Sequence, residues 1–233
     1  MNIIFAGDSW ALKGFTFENF DKGNDNPLPG DERMADHWPW SYLLCIAPGQ
    51  GNLTVMDRII QANRPELPVI WIWTEPGRDQ MRVTGKDPFA WMKSENIWQV
   101  RHSLADITMG MIRRTLPNPI GLIGGLSDIE IDLAKKHGFD VIHPSWQKWI
   151  ANTLHSKWFK FGWGASDIGW RSVYHDVTPS KTATFAWDEQ IKEWCWWQDQ
   201  GYFCHEHPSL IANVEFAQYL LPNITEWIDS HGR

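Results

Sequence analysis

The fold is decided by the stretch Asn2-Ile3-Ile4-Phe5-Ala6-Gly7-Asp8-Ser9. Residues 2–6 form a short apolar run that predicts a first strand, and a glycine, an acid and a hydroxyl follow it directly. Near the other end of the chain, His207-Pro208-Ser209 opens a segment with helical spacing over residues 209–230. A hydroxyl at the carboxyl end of a first strand and an imidazole before a last helix can meet across one α/β domain. The pair therefore predicts a serine hydrolase.

Further apolar runs extend this pattern along the chain. Residues 68–74 and 119–125 are continuous apolar runs, typical of strands buried on both faces, and residues 140–142 predict a last short strand. Strands that alternate with helices predict a three-layer α/β/α sandwich around a central, mostly parallel sheet of about five strands. The helices are predicted at 53–63, from about 89 to 115, from 127 or 128 to 136, and over 209–230.

The region of the second strand is harder to interpret. The pattern over residues 38–44 predicts a short helix with Pro39 in its first turn, which leaves only a very short strand at 45–47. Pro48-Gly49-Gln50-Gly51-Asn52 follows, and Asn52 is expected to cap the next helix. Residues 75–87 are predicted to be a loop.

Composition limits the classes of function. The chain has 233 residues, a net charge of -7 and three cysteines. The negative charge argues against a nucleic-acid or anionic-membrane surface, and three cysteines form no disulfide framework. No apolar stretch is long enough to span a bilayer. We expect no signal peptide, and hence a cytoplasmic protein, or a virion-associated one if the source is a phage.

Tryptophan is unusually frequent, with 17 in the chain and nine of them between Trp146 and Trp197. We expect a single domain over residues 1–233 with a Trp-rich insertion at about 146–200. A cluster of this kind is either a binding platform or the packing of the inserted segment, and packing is the commoner role of such side chains.

The motifs at both ends resemble those of the SGNH, or GDSL-like, hydrolase family. Gly7-Asp8-Ser9 matches that family's first block, Gly49 resembles its second, and His207-Pro208 matches its last. The resemblance implies a flavodoxin-like strand order, with Ser9 as nucleophile and His207 as base. Donors for the tetrahedral intermediate are expected from the N–H of Ser9 and from Gly49 or Gly51.

Two blocks depart from the family pattern. Trp73-Thr74-Glu75-Pro76 stands where the family has Gly-x-Asn-Asp, and an ionised Glu75 cannot donate a hydrogen bond. Cys204 stands three residues before His207, where the family has Asp, so the carboxylate that would orient the imidazole is missing. Glu206 is the nearest acid and is the candidate for that role.

The oxyanion and substrate-binding set is predicted to comprise Asp8, Gly49, Asn52, Glu75 and Arg78. Arg78, with Arg82 nearby, would recognise an anionic or polar group, or simply lie in a solvated loop. No cofactor is predicted. The run from Cys204 to His207, with Cys195, has the residue types of a metal site, but its spacing matches no known zinc motif, so no metal is predicted.

The sequence therefore predicts an ester hydrolase, with an acylated carbohydrate as the first substrate class and a lipid or small aryl ester as the second. Expected partners are such small molecules, with no nucleic acid and no membrane. The alternative is a glycan-binding or structural protein, possibly from a phage, on the same fold. The two departures from the family pattern favour that alternative, and fold alone does not separate the two classes.

Overall fold

The structure is a computed structural model that describes residues 2–8, 11, 33–85, 97–125, 128–146, 149, 187–188, 193–194, 203–204, 207–208 and 210–231. The elements in these residues are, in chain order, β1 (Asn2–Gly7), a 3-10 helix (Met34–His37), β2 (Ser41–Ile46), α1 (Asn52–Ala62), β3 (Val69–Trp73), a second 3-10 helix (Pro76–Asp79), α2 (Gln80–Thr84), α3 (Ile97–Thr115), β4 (Ile120–Gly124), α4 (Ile131–Lys136), β5 (Asp140–His143), β6 (Trp187–Asp188), β7 (Glu193–Trp194), β8 (Phe203–Cys204), β9 (His207–Pro208) and α5 (Leu210–His231).

A five-stranded parallel sheet forms the centre of the fold. Its strand order is β2-β1-β3-β4-β5, with each neighbouring pair parallel. This is the flavodoxin-like order, in which ligands bind beyond the carboxyl ends of the strands at the point where the order reverses. Here that point lies between β1 and β3. The predicted fold class and strand order are confirmed.

Side chains of the central strands alternate between two hydrophobic cores. Ile3 and Phe5 of β1 belong to one core, whereas Ile4 and Ala6 belong to the other. The first core is covered by α5 and the first 3-10 helix, and the second by α1, α3 and α4. Because helices cover both faces, the central strands are apolar throughout, which is why their runs stand out in the sequence.

The prediction of a helix over residues 38–44 is wrong. The segment is β2, a six-residue strand that pairs with β1 from Ser41 to Ile46. As an edge strand it is less buried than β1: Tyr42, Leu44 and Ile46 pack against the first core, Ser41 and Leu43 are exposed, and Cys45 is buried in the second core. Alternation with a period of two is the signature of a half-buried strand, and Pro39 lies before it rather than within a helix.

Several predicted boundaries also change. Asn52 is the first residue of α1 rather than its cap, and Gly51 takes the cap position. Helix α4 begins at Ile131 after Glu130, not at residue 127 or 128. The predicted loop over 75–87 contains a 3-10 helix and α2. Pro222 lies inside α5 without dividing it.

Only part of the predicted Trp-rich insertion falls within the described residues. Trp146 and Trp149 are buried and pack on Phe216 of α5, with ring centroids 4.8 and 4.9 Å from its own. Packing is therefore the observed role of these two tryptophans. The prediction of an insertion over 146–200 otherwise lies outside the described residues. In the described part of the chain, no helix is both long and apolar enough to cross a bilayer.

His143, at the end of β5, makes fold stability depend on pH. Its ring meets Phe216 and Tyr219 edge-on, and its Nδ1 accepts a hydrogen bond from the backbone N–H of Ser145 at 3.2 Å. Burial lowers the pKa of His143 to about 4. The His143 ring therefore takes up a proton below about pH 6.5 in the unfolded chain, but only below about pH 4 in the folded protein. The free energy of unfolding consequently falls as the pH falls from about 6.5 towards 4.

We expect His143→Asn, which keeps an acceptor for the Ser145 N–H, to make the free energy of unfolding depend less on pH between 4 and 7. The measurement is the free energy of urea unfolding of both proteins at several values between pH 4 and 7. The wild type should lose more stability than the variant as pH falls. Parallel curves would contradict the assignment.

Candidate active site at the carboxyl edge of the sheet

The end of β1 is held in place by a close approach that only glycine permits. A Cβ added to Gly7 would lie 2.7 Å from the Cβ of Ala11 and 2.9 Å from the Cβ of Ile72. Asp8 follows and is completely buried. Its carboxylate accepts hydrogen bonds from the hydroxyl of Thr74 at 2.5 Å and from Arg78 Nη1 at 3.4 Å. These hydrogen bonds connect Asp8, the residue before Ser9, to the end of β3 and the segment after it.

The loop after β2 lies beside this point. The N–H of Ala47 donates to the carbonyl of Gly7 at 3.0 Å, and the N–H of Gln50 donates back to Ala47 at 3.1 Å. Gly49 in the turn between them has a φ of 68°, a left-handed conformation that favours glycine. The turn that contains Gly49 therefore lies beside the end of β1. The direction of the Ser9 N–H lies outside the described residues.

Asn52 joins the same loop to β3. Its side-chain amide donates to the Thr74 carbonyl at 3.1 Å, and its side-chain oxygen accepts from the Thr74 N–H at 3.2 Å. Both residues are fully buried. A side-chain amide that pairs with both backbone groups of one residue fixes two loops relative to each other. The side chain of Asn52 therefore connects the loop after β2 to the end of β3. From the sequence it was expected to cap a helix or to bind substrate.

The cap of α1 comes from a distant residue. The carboxylate of Asp79 accepts hydrogen bonds from the N–H groups of Asn52 and Leu53, each at 2.9 Å. These are free donors in the first turn of a helix, where a negative charge is also favourable. Asp79 is completely buried, and burial raises its pKa to about 6, although the two N–H groups act in the opposite direction.

Glu75 lies at the predicted edge, but its carboxylate is bound by Arg101 of α3. Arg101 Nε donates to one carboxylate oxygen at 2.9 Å, and Nη2 donates to the other at 2.7 Å. The N–H of Gly77 also donates to Glu75, at 3.2 Å. Burial lowers the pKa of the Arg101 guanidinium, but the Glu75 carboxylate together with Asp128 and Glu130 raises it, so the net shift is upward. This is a buried bidentate ion pair.

The two arginines of this region have different partners. Arg78 is mostly buried and lies against Asp8, whereas Arg82 is 41% exposed and pairs with Asp57 of α1. Arg78 is therefore part of the network at the end of β1. Arg82 belongs to an exposed ion pair on the surface.

The catalytic pair itself is only partly described. Ser9 and Glu206 lie outside the described residues, and so does the side chain of His207. The backbone of His207 is described, and it lies in β9, directly opposite Cys204 in the antiparallel β8–β9 pair. The predicted hydrogen bond between Ser9 and His207 therefore stays a prediction. The potential metal ligands from 195 to 207 also lie outside the described side chains, and no metal-binding cluster occurs among the side chains that are described.

A cavity of about 700 Å³ opens at the same edge of the sheet, beyond β4 and β5. Its polar lining comes from α3, from the segment before α4 and from α4 itself, and includes His102, Asp128, Glu130, Asp132 and Lys136. In the wall of the cavity, His102 Nδ1 lies 2.5 Å from Glu130 Oε2. A cavity of this size is in the range of small-molecule sites.

Three residues of this edge were not predicted from the sequence. Thr74 follows directly after a buried strand, and its hydroxyl at that position was an available signal. Asp79 is separated by 27 positions from Asn52, and Arg101 by 26 positions from Glu75. No spacing rule relates residues this far apart, so only the fold brings them together.

Comparisons with known proteins leave the family open. No protein-family model and no curated protein matches the chain. Among solved structures, the chain is similar to the crystal structure of TesA, with 12% sequence identity, 99% of each chain covered and a TM-score of 0.42. At this identity and TM-score the likeness carries no argument about activity. The functional interpretation of this chain rests on its own residues.

Proposed function

We propose that the protein is a serine hydrolase that cleaves a carboxylic ester. The hydroxyl of Ser9 attacks the ester carbonyl carbon while the imidazole of His207 takes its proton. The imidazolium then gives that proton to the departing alcohol, which leaves an acyl group on Ser9. A water molecule, deprotonated by the same imidazole, releases the acid and restores the hydroxyl.

One observation carries this proposal. The ends of β1 and β3 and the loop after β2 are joined by buried hydrogen bonds through Asp8, Thr74 and Asn52. This junction is at the reversal of the strand order, and Ser9 is the next residue after Asp8. Catalysis by positioning requires that the elements next to a nucleophile be held rigidly.

The oxyanion is proposed to bind to backbone N–H groups. Glu75 stands in the block where the GDSL-like family has a side-chain donor, yet its carboxylate accepts hydrogen bonds from Arg101 and Gly77. The N–H groups of Ser9 and Gly49 are the proposed donors. An oxyanion hole with fewer hydrogen-bond donors than the GDSL-like family pattern predicts slow turnover.

An acylated carbohydrate is the proposed substrate class. The cavity beyond β4 and β5 combines charged groups, including Glu130 and Lys136, with apolar side chains such as Leu133, and this mixture suits the hydroxyl groups and the apolar faces of a sugar ring. In the strand order, β4 is two positions from β1, so the cavity opens roughly 10 Å to the side of the end of β1. This is about the width of one or two sugar rings.

Labelling with a fluorophosphonate tests the proposal. An activated serine displaces fluoride and forms a bond from its oxygen to phosphorus, so intact mass and peptide mapping should find one adduct, on Ser9. Heat-unfolded protein is the control, because an unactivated serine does not react. An unlabelled native protein would favour the alternative, a glycan-binding or structural protein, which the Cys204 position also favours.

Cys204→Asp is expected to increase the hydrolysis of a nitrophenyl ester at least tenfold. Position 204 lies opposite His207 in the β8–β9 pair, and directly opposite residues in such a pair are neighbours. A carboxylate there can orient the imidazole, and the loss of that acid from a serine triad costs about 10⁴-fold in turnover.

Cys204→Asn is the matched control for this experiment. It has the same shape as the aspartate variant but no charge, and it should not increase the rate. Equal rates for the aspartate and asparagine variants would show that position 204 does not act on the imidazole.

A further inference from the structure

We infer that Asp79 is a positioning residue of this site, which holds the loop at residues 49–52 against the end of β3 and thereby fixes Asp8, the residue that precedes the proposed nucleophile. The inference rests on the proposed function for its kinetic consequence.

Asp79 holds the loop at two adjacent points. Its two carboxylate oxygens each accept one N–H, from Asn52 and from Leu53, both at 2.9 Å. The loop is also fitted closely around the carboxylate, because a Cβ added to Gly51 would lie 2.2 Å from Asp79 Oδ1. The sequence Gly51-Asn52-Leu53 therefore forms a cradle for one carboxylate.

A series of hydrogen bonds connects Asp79 to Asp8, the residue before the proposed nucleophile. Asn52, gripped through its N–H by Asp79, pairs through its side chain with both backbone groups of Thr74. The hydroxyl of Thr74 then donates to Asp8 at 2.5 Å. Asp8 immediately precedes Ser9. A shift of the loop would therefore be transmitted to the nucleophile through buried contacts that have little room to adjust.

A helix cap alone does not account for these features. Caps are usually supplied by the residue at the cap position itself, often a neutral Ser, Thr or Asn near solvent. Here the cap position is glycine, and the acceptor is a fully buried carboxylate 27 positions away. Burying a carboxylate is costly, so a fold that needed only a cap would be more stable with a neutral side chain.

Nearby charges do not neutralise Asp79 directly. Arg82 of α2 acts on it electrostatically, but its guanidinium is bound to Asp57 of α1 at 2.8 Å. On its own 3-10 segment, Arg78 lies against Asp8, and Glu75 is bound by Arg101 of α3. The carboxylate is therefore stabilised mainly by the two N–H groups that it positions. When it is protonated, its O–H faces one of those donors, so one of the two hydrogen bonds to the loop is lost.

The test compares the wild type with Asp79→Asn and, as a matched control, Asp229→Asn. Asp229 is an exposed acid near the end of α5, far from this edge, so its variant makes the same chemical change without touching the site. Asn at position 79 presents one oxygen and one NH₂ group, so one of the two backbone donors loses its acceptor.

The structural readout is the NMR titration of the Asn52 and Leu53 amide protons between pH 4 and 8. In the wild type and in Asp229→Asn both signals should move with a midpoint near pH 6, as the pKa of Asp79 directs. The titration should be absent in Asp79→Asn. This readout needs no catalysis, and its loss in the variant assigns the titration to Asp79.

The kinetic readout is the rate of fluorophosphonate labelling of Ser9 at pH 8. Asp79→Asn should label roughly tenfold to a hundredfold more slowly, since a small misplacement of reacting groups has effects of this size. Its unfolding midpoint in urea at pH 8 should change little, because removal of a buried charge offsets the backbone donor that loses its acceptor. A merely structural cap predicts the reverse, namely a lower midpoint with an unchanged labelling rate.

The outcomes separate the two claims. Equal labelling rates in Asp79→Asn and the wild type would overturn the positioning role. An amide titration that persists in Asp79→Asn, or that is absent from the wild type, would overturn the grip on the loop. A wild type that does not label at all would overturn the proposed function, and the amide titration would still decide whether Asp79 holds the loop.

Discussion

Alanine at Ser9 is expected to lower the hydrolysis of a nitrophenyl ester to the rate measured without protein. The variant lacks the oxygen that forms the acyl intermediate, so no remaining group replaces it. His207→Ala should have nearly the same effect, because a serine hydroxyl without a base is a weak nucleophile. The loss in each variant is expected to be about 10³-fold or more, and the double variant should be no worse than either single one, since the two residues act as a unit.

The controls for this experiment lie at the opposite edge of the sheet. Ser41 begins β2 at its amino end, and His231 ends α5 beside Asp140, the first residue of β5. Ser41→Ala and His231→Ala should retain the wild-type rate. If the wild type and all five variants hydrolyse the ester equally, the activity comes from elsewhere and the chain is a binding or structural protein.

The sequence was most informative where strands are buried on both faces. Strands β1, β3 and β4 are uninterrupted apolar runs because helices cover both sides of the sheet, and each was predicted within two residues of its observed bounds. Strand β2 was predicted too short, at residues 45–47 instead of Ser41–Ile46, because an edge strand is only half buried and its pattern is mixed. The expected helix at 38–44 also relied on Pro39, which in fact precedes the strand.

The candidate site divides in the same way. Asp8, Gly49 and Asn52 were predicted because each follows a strand or begins a helix, and parallel topology brings such positions to one edge. Their partners were not predictable, since the oxygens of Asp79 and the guanidinium of Arg101 come from segments distant in sequence. A local pattern indicates which residues lie at the edge, whereas the hydrogen bonds between them depend on tertiary distances.

Glu75 shows why this distinction matters for mutagenesis. From the sequence alone, Glu75→Asn is expected to restore a family donor and to raise esterase activity or leave it intact. In the structure that substitution removes the carboxylate from a guanidinium that is only 17% exposed. Breaking a buried ion pair by removing one partner costs about 3–5 kcal/mol. The variant should therefore lose stability before any gain in activity becomes measurable.

A double-mutant cycle measures this effect. Glu75→Gln and Arg101→Met should each lower the free energy of urea unfolding at pH 7 by about 3 kcal/mol or more, because each leaves a buried charge without its main partner. The double variant should recover much of that loss, since neither charge remains. Its coupling energy should be about 3 kcal/mol, so that the double variant loses no more stability than either single one.

The exposed pair between Asp57 and Arg82 provides the comparison for this cycle. Those side chains are 42% and 41% exposed, and their bond of 2.8 Å is as short as those between Glu75 and Arg101. Because solvent screens an exposed pair, Asp57→Asn should cost less than about 1 kcal/mol, with little coupling to Arg82→Met. If the Glu75 and Arg101 substitutions were merely additive, the pair would contribute no more than this surface contact. Glu75 would then be free to serve the reaction instead of anchoring α3 to the end of β3.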